Sequence, residues 1–95
     1  MRKQLKSIVT DLSDKRCYLC GYGGELALHH MIPGIPYRKK ADKDQLTCWL
    51  CVPCHTALHD KGWHRDELAQ IAQKAWMEQG HTVEEWRERY TKSYL

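Results

Sequence analysis

The sequence predicts a small α+β domain: a strand, a long loop, a second strand and a helix at its centre, then two more helices. Three observations carry this reading. Two short runs rich in apolar residues, ELALHH (25–30) and LTCWLC (46–51), are flanked by glycine, proline or charged residues, as strands are. Two Cys-x-x-Cys pairs, Cys17/Cys20 and Cys51/Cys54, bracket those runs with 30 residues between them. Residues 68–90 repeat apolar side chains at helical spacing.

With 95 residues the chain has room for one domain, 1–95. It divides into an N-terminal arm or helix (1–14), a central unit (15–60) and a helical extension (61–95). A domain this size has a thin core, so a metal is a useful staple.

In order along the chain, Leu5, Ile8, Val9 and Leu12 fall at helical spacing. The N-terminal segment is therefore a short amphipathic helix or an arm packed on the core. CYLCGYGG (17–24) is a tight glycine-rich turn leading into the first strand. Pro33, Gly34 and Pro36 end that strand and open a loop through the basic stretch YRKKADK. The second strand follows. Pro53 then stands where the first helical residue belongs, and HTALHD continues the helix. Further on, Leu68, Ile71, Ala72, Ala75 and Trp76 make one apolar stripe that Gly80 ends. Thr82 caps the last helix, and Glu85 completes a capping-box pattern. Val83, Trp86 and Tyr90 form its inward face, as core rather than as a platform for stacking bases.

The formal charge is +3, unevenly spread: residues 1–48 carry nine Lys/Arg against five Asp/Glu, and residues 49–95 carry six against seven. Either the basic run is a solvated loop or it follows the phosphates of a polyanion. No stretch approaches the roughly 20 apolar residues of a membrane span. The basic N-terminus does not enter a secretory apolar run. A cytoplasmic protein with no membrane partner is expected, and there paired cysteines bind metal more often than they form disulfides.

Cys17, Cys20, Cys51 and Cys54 suit a closed tetrahedral Zn²⁺ shell with no open position, a structural site. A redox couple would need one such pair at a helix start within a βαβ pattern, which is missing. The spacer exceeds that of ordinary zinc ribbons, so it is expected to carry something. Cys48, the fifth cysteine, reads as a small buried apolar residue.

His29 and His30 stand side by side at the end of the first strand, so their side chains point to opposite faces. His55 and His59 share one helix face, four residues apart. Singly, each reads as an ordinary strand or helix histidine. Together, four histidines around a zinc knuckle suit phosphodiester hydrolysis, which needs a base to activate water and a cation for the phosphate. His30 is the candidate base. His29, His55 and His59 are the candidate ligands of one divalent metal. His64 and His81 have no assigned role.

Cys17-x-x-Cys20, LALHHMIPG (26–34) and LTCWLCVPCHTALH (46–59) together resemble the HNH endonucleases of the ββα-metal, or His-Me finger, superfamily. The resemblance covers about residues 15–60. The whole chain looks like the short HNH proteins of phages and prophages, and its HH and H-x-x-x-H elements look like those of colicin DNase domains. The resemblance implies a ββα-metal fold and a metal-dependent DNA endonuclease. His30 is then the base, His29, His55 and His59 the metal ligands, and the cysteines a structural zinc site. The family's middle Asn is absent; Asp44-Gln45-Leu46-Thr47 stands there, and Gln45 is the candidate substitute.

Three imidazoles make a nitrogen-only site, whereas Mg²⁺ prefers oxygen. Mn²⁺, Co²⁺ or Ni²⁺ is therefore expected to support activity at least as well as Mg²⁺, and Zn²⁺ to inhibit. Arg38, Lys39, Lys40 and Lys43 are the candidate phosphate contacts. Such contacts position a duplex without reading its sequence. Two other readings stay open: a non-catalytic zinc module binding nucleic acid or protein, and a nuclease working only inside an assembly such as a phage packaging complex.

Overall fold

A computed structural model describes residues 6–95; Leu5, the first apolar position of the N-terminal pattern, lies outside them. The described residues form a small mixed α/β domain with a two-stranded sheet and four α-helices. Among the described residues, no helix is long and apolar enough to cross a membrane.

Over residues 6–14 the N-terminal segment is an arm, not a helix. Its polar groups bond to the loop and strand beside it, which removes the need for helical pairing. Ile8 N–H donates to the Gln45 carbonyl at 2.9 Å, and Ser7 Oγ donates to the Thr47 carbonyl at 2.6 Å. Trp49 Nε1 donates to the Leu12 carbonyl at 2.8 Å. Ile8 and Val9 lie against the core and Leu12 is buried.

The cysteine turn follows. Gly21, in the left-handed region at φ 81°, closes it by donating to the Cys17 carbonyl, a conformation glycine adopts without a Cβ clash. β1 (Leu26–His30) then pairs antiparallel with β2 (Thr47–Cys51), in a register that sets His29 opposite Cys48 and His30 opposite Thr47. Cys48 is fully buried, as its sequence position suggests.

Between the strands the basic stretch is not a loop. A 3₁₀ turn, Ile35–Tyr37, runs directly into α1 (Arg38–Lys43). RKKADK is made mostly of good helix formers, and Ala41 is fully buried, which anchors the turn to the core.

α2 (Val52–Lys61) starts one residue before Pro53, with Cys51 extended as its N-cap. Gly62, at φ 72°, caps the other end and donates to the Leu58 carbonyl. α3 (Arg65–Glu78) buries Leu68, Ala69, Ala72, Gln73 and Trp76. Ile71, placed in the inward stripe by its spacing, is instead exposed. The helix is rotated so that Gln73 faces in, where its amide donates to Ser93 Oγ and its carbonyl accepts from Tyr94 N–H. Those bonds satisfy a fully buried polar side chain and pin the C-terminal residues to the helix.

α4 (Val83–Tyr90) carries the capping box between Thr82 and Glu85. Trp86 and Tyr90 are buried, and Trp86 packs on Trp76 and Tyr90 at centroid distances of 5.5 and 4.3 Å. These aromatics are core. Asp44, just after α1, accepts from Tyr90 Oη at 2.6 Å and from Arg89 Nε, which ties the helical extension to the loop between the strands.

Candidate functional site

The two Cys-x-x-Cys pairs converge. One sulfur from each of Cys17, Cys20, Cys51 and Cys54 lies within 4.8 Å of the others, and Cys20 Sγ and Cys51 Sγ are 3.6 Å apart. Tetrahedral Zn²⁺ with bonds of about 2.3 Å holds its sulfurs roughly 3.8 Å apart. The cluster is therefore compatible with a structural zinc site. Burial opposes ionisation of Cys17, but backbone N–H groups of Cys51, Cys20 and Leu19 outweigh it and bring this thiol down to about 6. Cys54 is pushed up, first by burial and then by the neighbouring thiols. One thiolate is thus welcome and further negative charge is resisted, a conflict that a divalent cation removes. Cys48 stays outside the shell; burial and the charge at Cys17 push its thiol up to about 12.

The histidines form a second cluster. His29 is 7% exposed, and its ring centroid lies 5.3 Å from that of His55 and 6.0 Å from that of His59. His55 and His59, one helical turn apart on α2, bring their Nε2 atoms to 3.0 Å. One nitrogen from each of the three lies within 4.8 Å of the others. A cation bound to imidazole at about 2.1 Å separates neighbouring nitrogens by roughly 3.0–3.4 Å, which the His55–His59 spacing matches, and the three residues together could hold one ion. Burial, then the charges of His55, His59 and His30, hold the His29 imidazole down to about 3. Burial likewise lowers His55, helped by His59 and Arg38. Neutral imidazoles keep the lone pairs that a metal requires.

His30, the next residue along β1, is not one of the three converging imidazoles. Its Nε2 lies 2.7 Å from Asp42 Oδ1 on α1. A carboxylate only accepts, so Nε2 is the donor in this pair. All four histidines line one cleft of about 480 Å³ that also receives Arg38 and Arg65.

The candidate phosphate contacts do not act as a group. Arg38 lines the histidine cleft, while Lys39 is exposed on α1 outside it. Lys40 Nζ donates to the Arg89 carbonyl at 3.0 Å and lies 5.8 Å from the Tyr37 ring centroid, so it braces α4. Lys43 lines a separate groove with Gln45, Trp76 and His81. Gln45 is in the left-handed region at φ 60°, and the structure does not bring it to His30. The contact expected of it falls to Asp42. His64 and His81 lie outside the cluster: His64 Nδ1 is 3.2 Å from Glu67, and His81 stacks on Trp76 at 3.9 Å.

Sequence reasoning missed Asp42 and Arg65. A helical reading of RKKADK would have turned attention to Asp42 as a fixed carboxylate. Nothing local marks Arg65, which lines the cleft from the start of α3, with its N–H bonded back to the Gly62 carbonyl.

Comparison with family models, curated proteins and solved structures finds no match to this chain. What fold and site define by themselves is a small α+β domain with a four-cysteine cluster compatible with zinc and a separate three-imidazole cluster.

Proposed function

We propose that this protein is a metal-dependent DNA endonuclease of the HNH type, with a ββα-metal core, a structural zinc at Cys17, Cys20, Cys51 and Cys54, and His30 as general base. The observation that carries the reading is the convergence of His29, His55 and His59 beside a fourth histidine that a carboxylate orients. Three imidazoles from a strand and a helix would hold one divalent cation, which when bound supplies charge neutralisation at the phosphate and at the departing 3′ oxygen. His30 takes the proton of the attacking water at Nδ1, because Asp42 occupies Nε2. His29 keeps to His55 and His59 while His30 is held by Asp42, which divides the roles of ligand and base between neighbouring residues.

The chemistry of the site favours a diester over a peptide. His55-x-x-x-His59 has the spacing of zinc peptidases, but the glutamate base that follows their first histidine is Thr56 here. The cleft also offers cations at its wall, which suits an anionic substrate.

The test is plasmid nicking with Mn²⁺, Co²⁺, Ni²⁺ and Mg²⁺, run beside His30→Ala with zinc content measured on both proteins. Nicking lost in the variant, with bound zinc and DNA binding retained, supports the reading. Nicking with Mg²⁺ alone would refute the imidazole ligand set. Equal nicking by both proteins would refute His30 as the base, and no nicking by either would leave a non-catalytic zinc module. Activity that appears only with a partner would point to work inside a larger assembly, such as a phage packaging complex.

A further inference from the structure

The side chains lining the histidine cleft include four imidazoles and two guanidinium groups but, among the described residues, no carboxylate. Arg38 enters from α1 and Arg65 from the first turn of α3. Among the described residues neither arginine forms an ion pair, whereas Arg16 and Arg89 pair with Asp14 and Asp44. Two unneutralised guanidinium groups facing one cleft repel each other unless an anion sits between them.

Backbone geometry sets Arg65 in position. Gly62 ends α2 in the left-handed region, and Arg65 N–H donates back to the Gly62 carbonyl at 3.3 Å. The guanidinium folds over Gly62, with Nη2 3.7 Å from where a Cβ at that position would stand. The side chain lines the cleft together with the imidazoles.

We infer that Arg38 and Arg65 form a two-sided clamp for the phosphates of a nucleic-acid strand, seating it across the imidazole cluster. The inference rests on the nuclease reading and extends it: α3, outside the strand-strand-helix unit, contributes to substrate binding. Guanidinium is suited to this task, since its planar fork holds a phosphate through two parallel hydrogen bonds. A strand, rather than a free phosphate, is the occupant because the two arginines come from separate helices, α1 and α3, and line one cleft together with the four imidazoles of the proposed reaction centre. Neither contact reads a base, so the clamp positions without sequence preference.

The experiment measures binding without turnover. Zinc-loaded His30→Ala protein is titrated into a fluorescent DNA oligonucleotide across a salt series, alone and with Arg38→Ala, Arg65→Ala, Arg65→Lys or Arg87→Ala added. Arg87 is exposed on α4 and lines no part of the cleft, so it controls for loss of one guanidinium charge. Arg38→Ala and Arg65→Ala should each weaken binding roughly tenfold at low salt and lower the salt slope by about one. Arg65→Lys should recover part of that loss, and Arg87→Ala should change binding less than about twofold.

Inorganic phosphate, compared with chloride at matched ionic strength, should compete no better than chloride. Specific displacement by phosphate would overturn the strand in favour of a small-anion site. Equal effects of Arg65→Ala and Arg87→Ala, or no salt-dependent binding by any of the proteins, would overturn the clamp. Should Arg65→Ala not fold, Arg65→Gln and Arg65→Lys carry the same comparison. Because binding is read in a protein lacking the base, a wild type that binds but never nicks refutes the reaction and not the clamp.

Discussion

Acid should destabilise this domain through His29 in a way that can be isolated. The imidazole is almost fully buried, and its burial holds it down to about 3 against the ordinary histidine value of 6.5. The folded-state value lies below the unfolded one, so as pH falls the unfolded chain takes up the proton first. The His29 contribution is then fully present above pH 6.5, declines as pH falls, and levels off below about 3. At pH 4.5 the unfolded imidazole is two units below its titration point while the folded one is still neutral, a loss of roughly 3 kcal/mol at about 1.4 kcal/mol per unit. That is a large share of the roughly 5–15 kcal/mol that holds a domain together.

The assay is urea unfolding of zinc-loaded wild type and His29→Gln at pH 7, 5.5 and 4.5. Protonation of the cysteine thiolates weakens both proteins equally and cancels in the difference. Wild type should lose about 3 kcal/mol more than the variant between pH 7 and 4.5. A divalent ion bound by the imidazoles steepens the dependence without changing its sign, because proton and metal compete for the same lone pairs. Parallel pH dependences in the two proteins would refute the reasoning.

Stripping the zinc with a strong chelator should unfold the domain, since structural zinc supplies about 10–16 kcal/mol in small modules; near-UV circular dichroism read beside metal analysis checks this, and a native spectrum at zero zinc would contradict it. Asp42→Asn should lower kcat for nicking by about tenfold or more with KM little changed, because the amide can present its N–H to Nε2 and stabilise the wrong tautomer of His30; an unchanged kcat would leave Asp42 without a part in the reaction. Trp86→Ala removes a fully buried indole that packs on Trp76 and Tyr90 and should cost about 3–5 kcal/mol by denaturant unfolding; a loss under about 1 kcal/mol would mean that the aromatic cluster is not the core of the extension.

The sequence by itself determined the features whose partners are close along the chain. Both cysteines of each pair sit on one turn, so two residues between them suffice to aim both sulfurs at one point. His55 and His59 share a helix face by the 3.6 period, and His29 and His30 face apart by the strand period. The capping box of Thr82 and Glu85 is equally local. What only the tertiary structure decided is what meets across long separations.

Asp42 reaches His30 because α1 forms where the spacing of prolines and glycine suggested a loop. Lys40 is diverted to the Arg89 carbonyl by the docking of α4. Gln73 displaces Ile71 from the inward face because the C-terminal residues offer its amide partners. Arg65 shares a cleft with the imidazoles from the start of α3, just beyond the left-handed Gly62 that ends α2. Periodicity fixes directions within an element; the rotation of that element about its axis, and the contacts it then makes, are set by packing against neighbours far away in sequence.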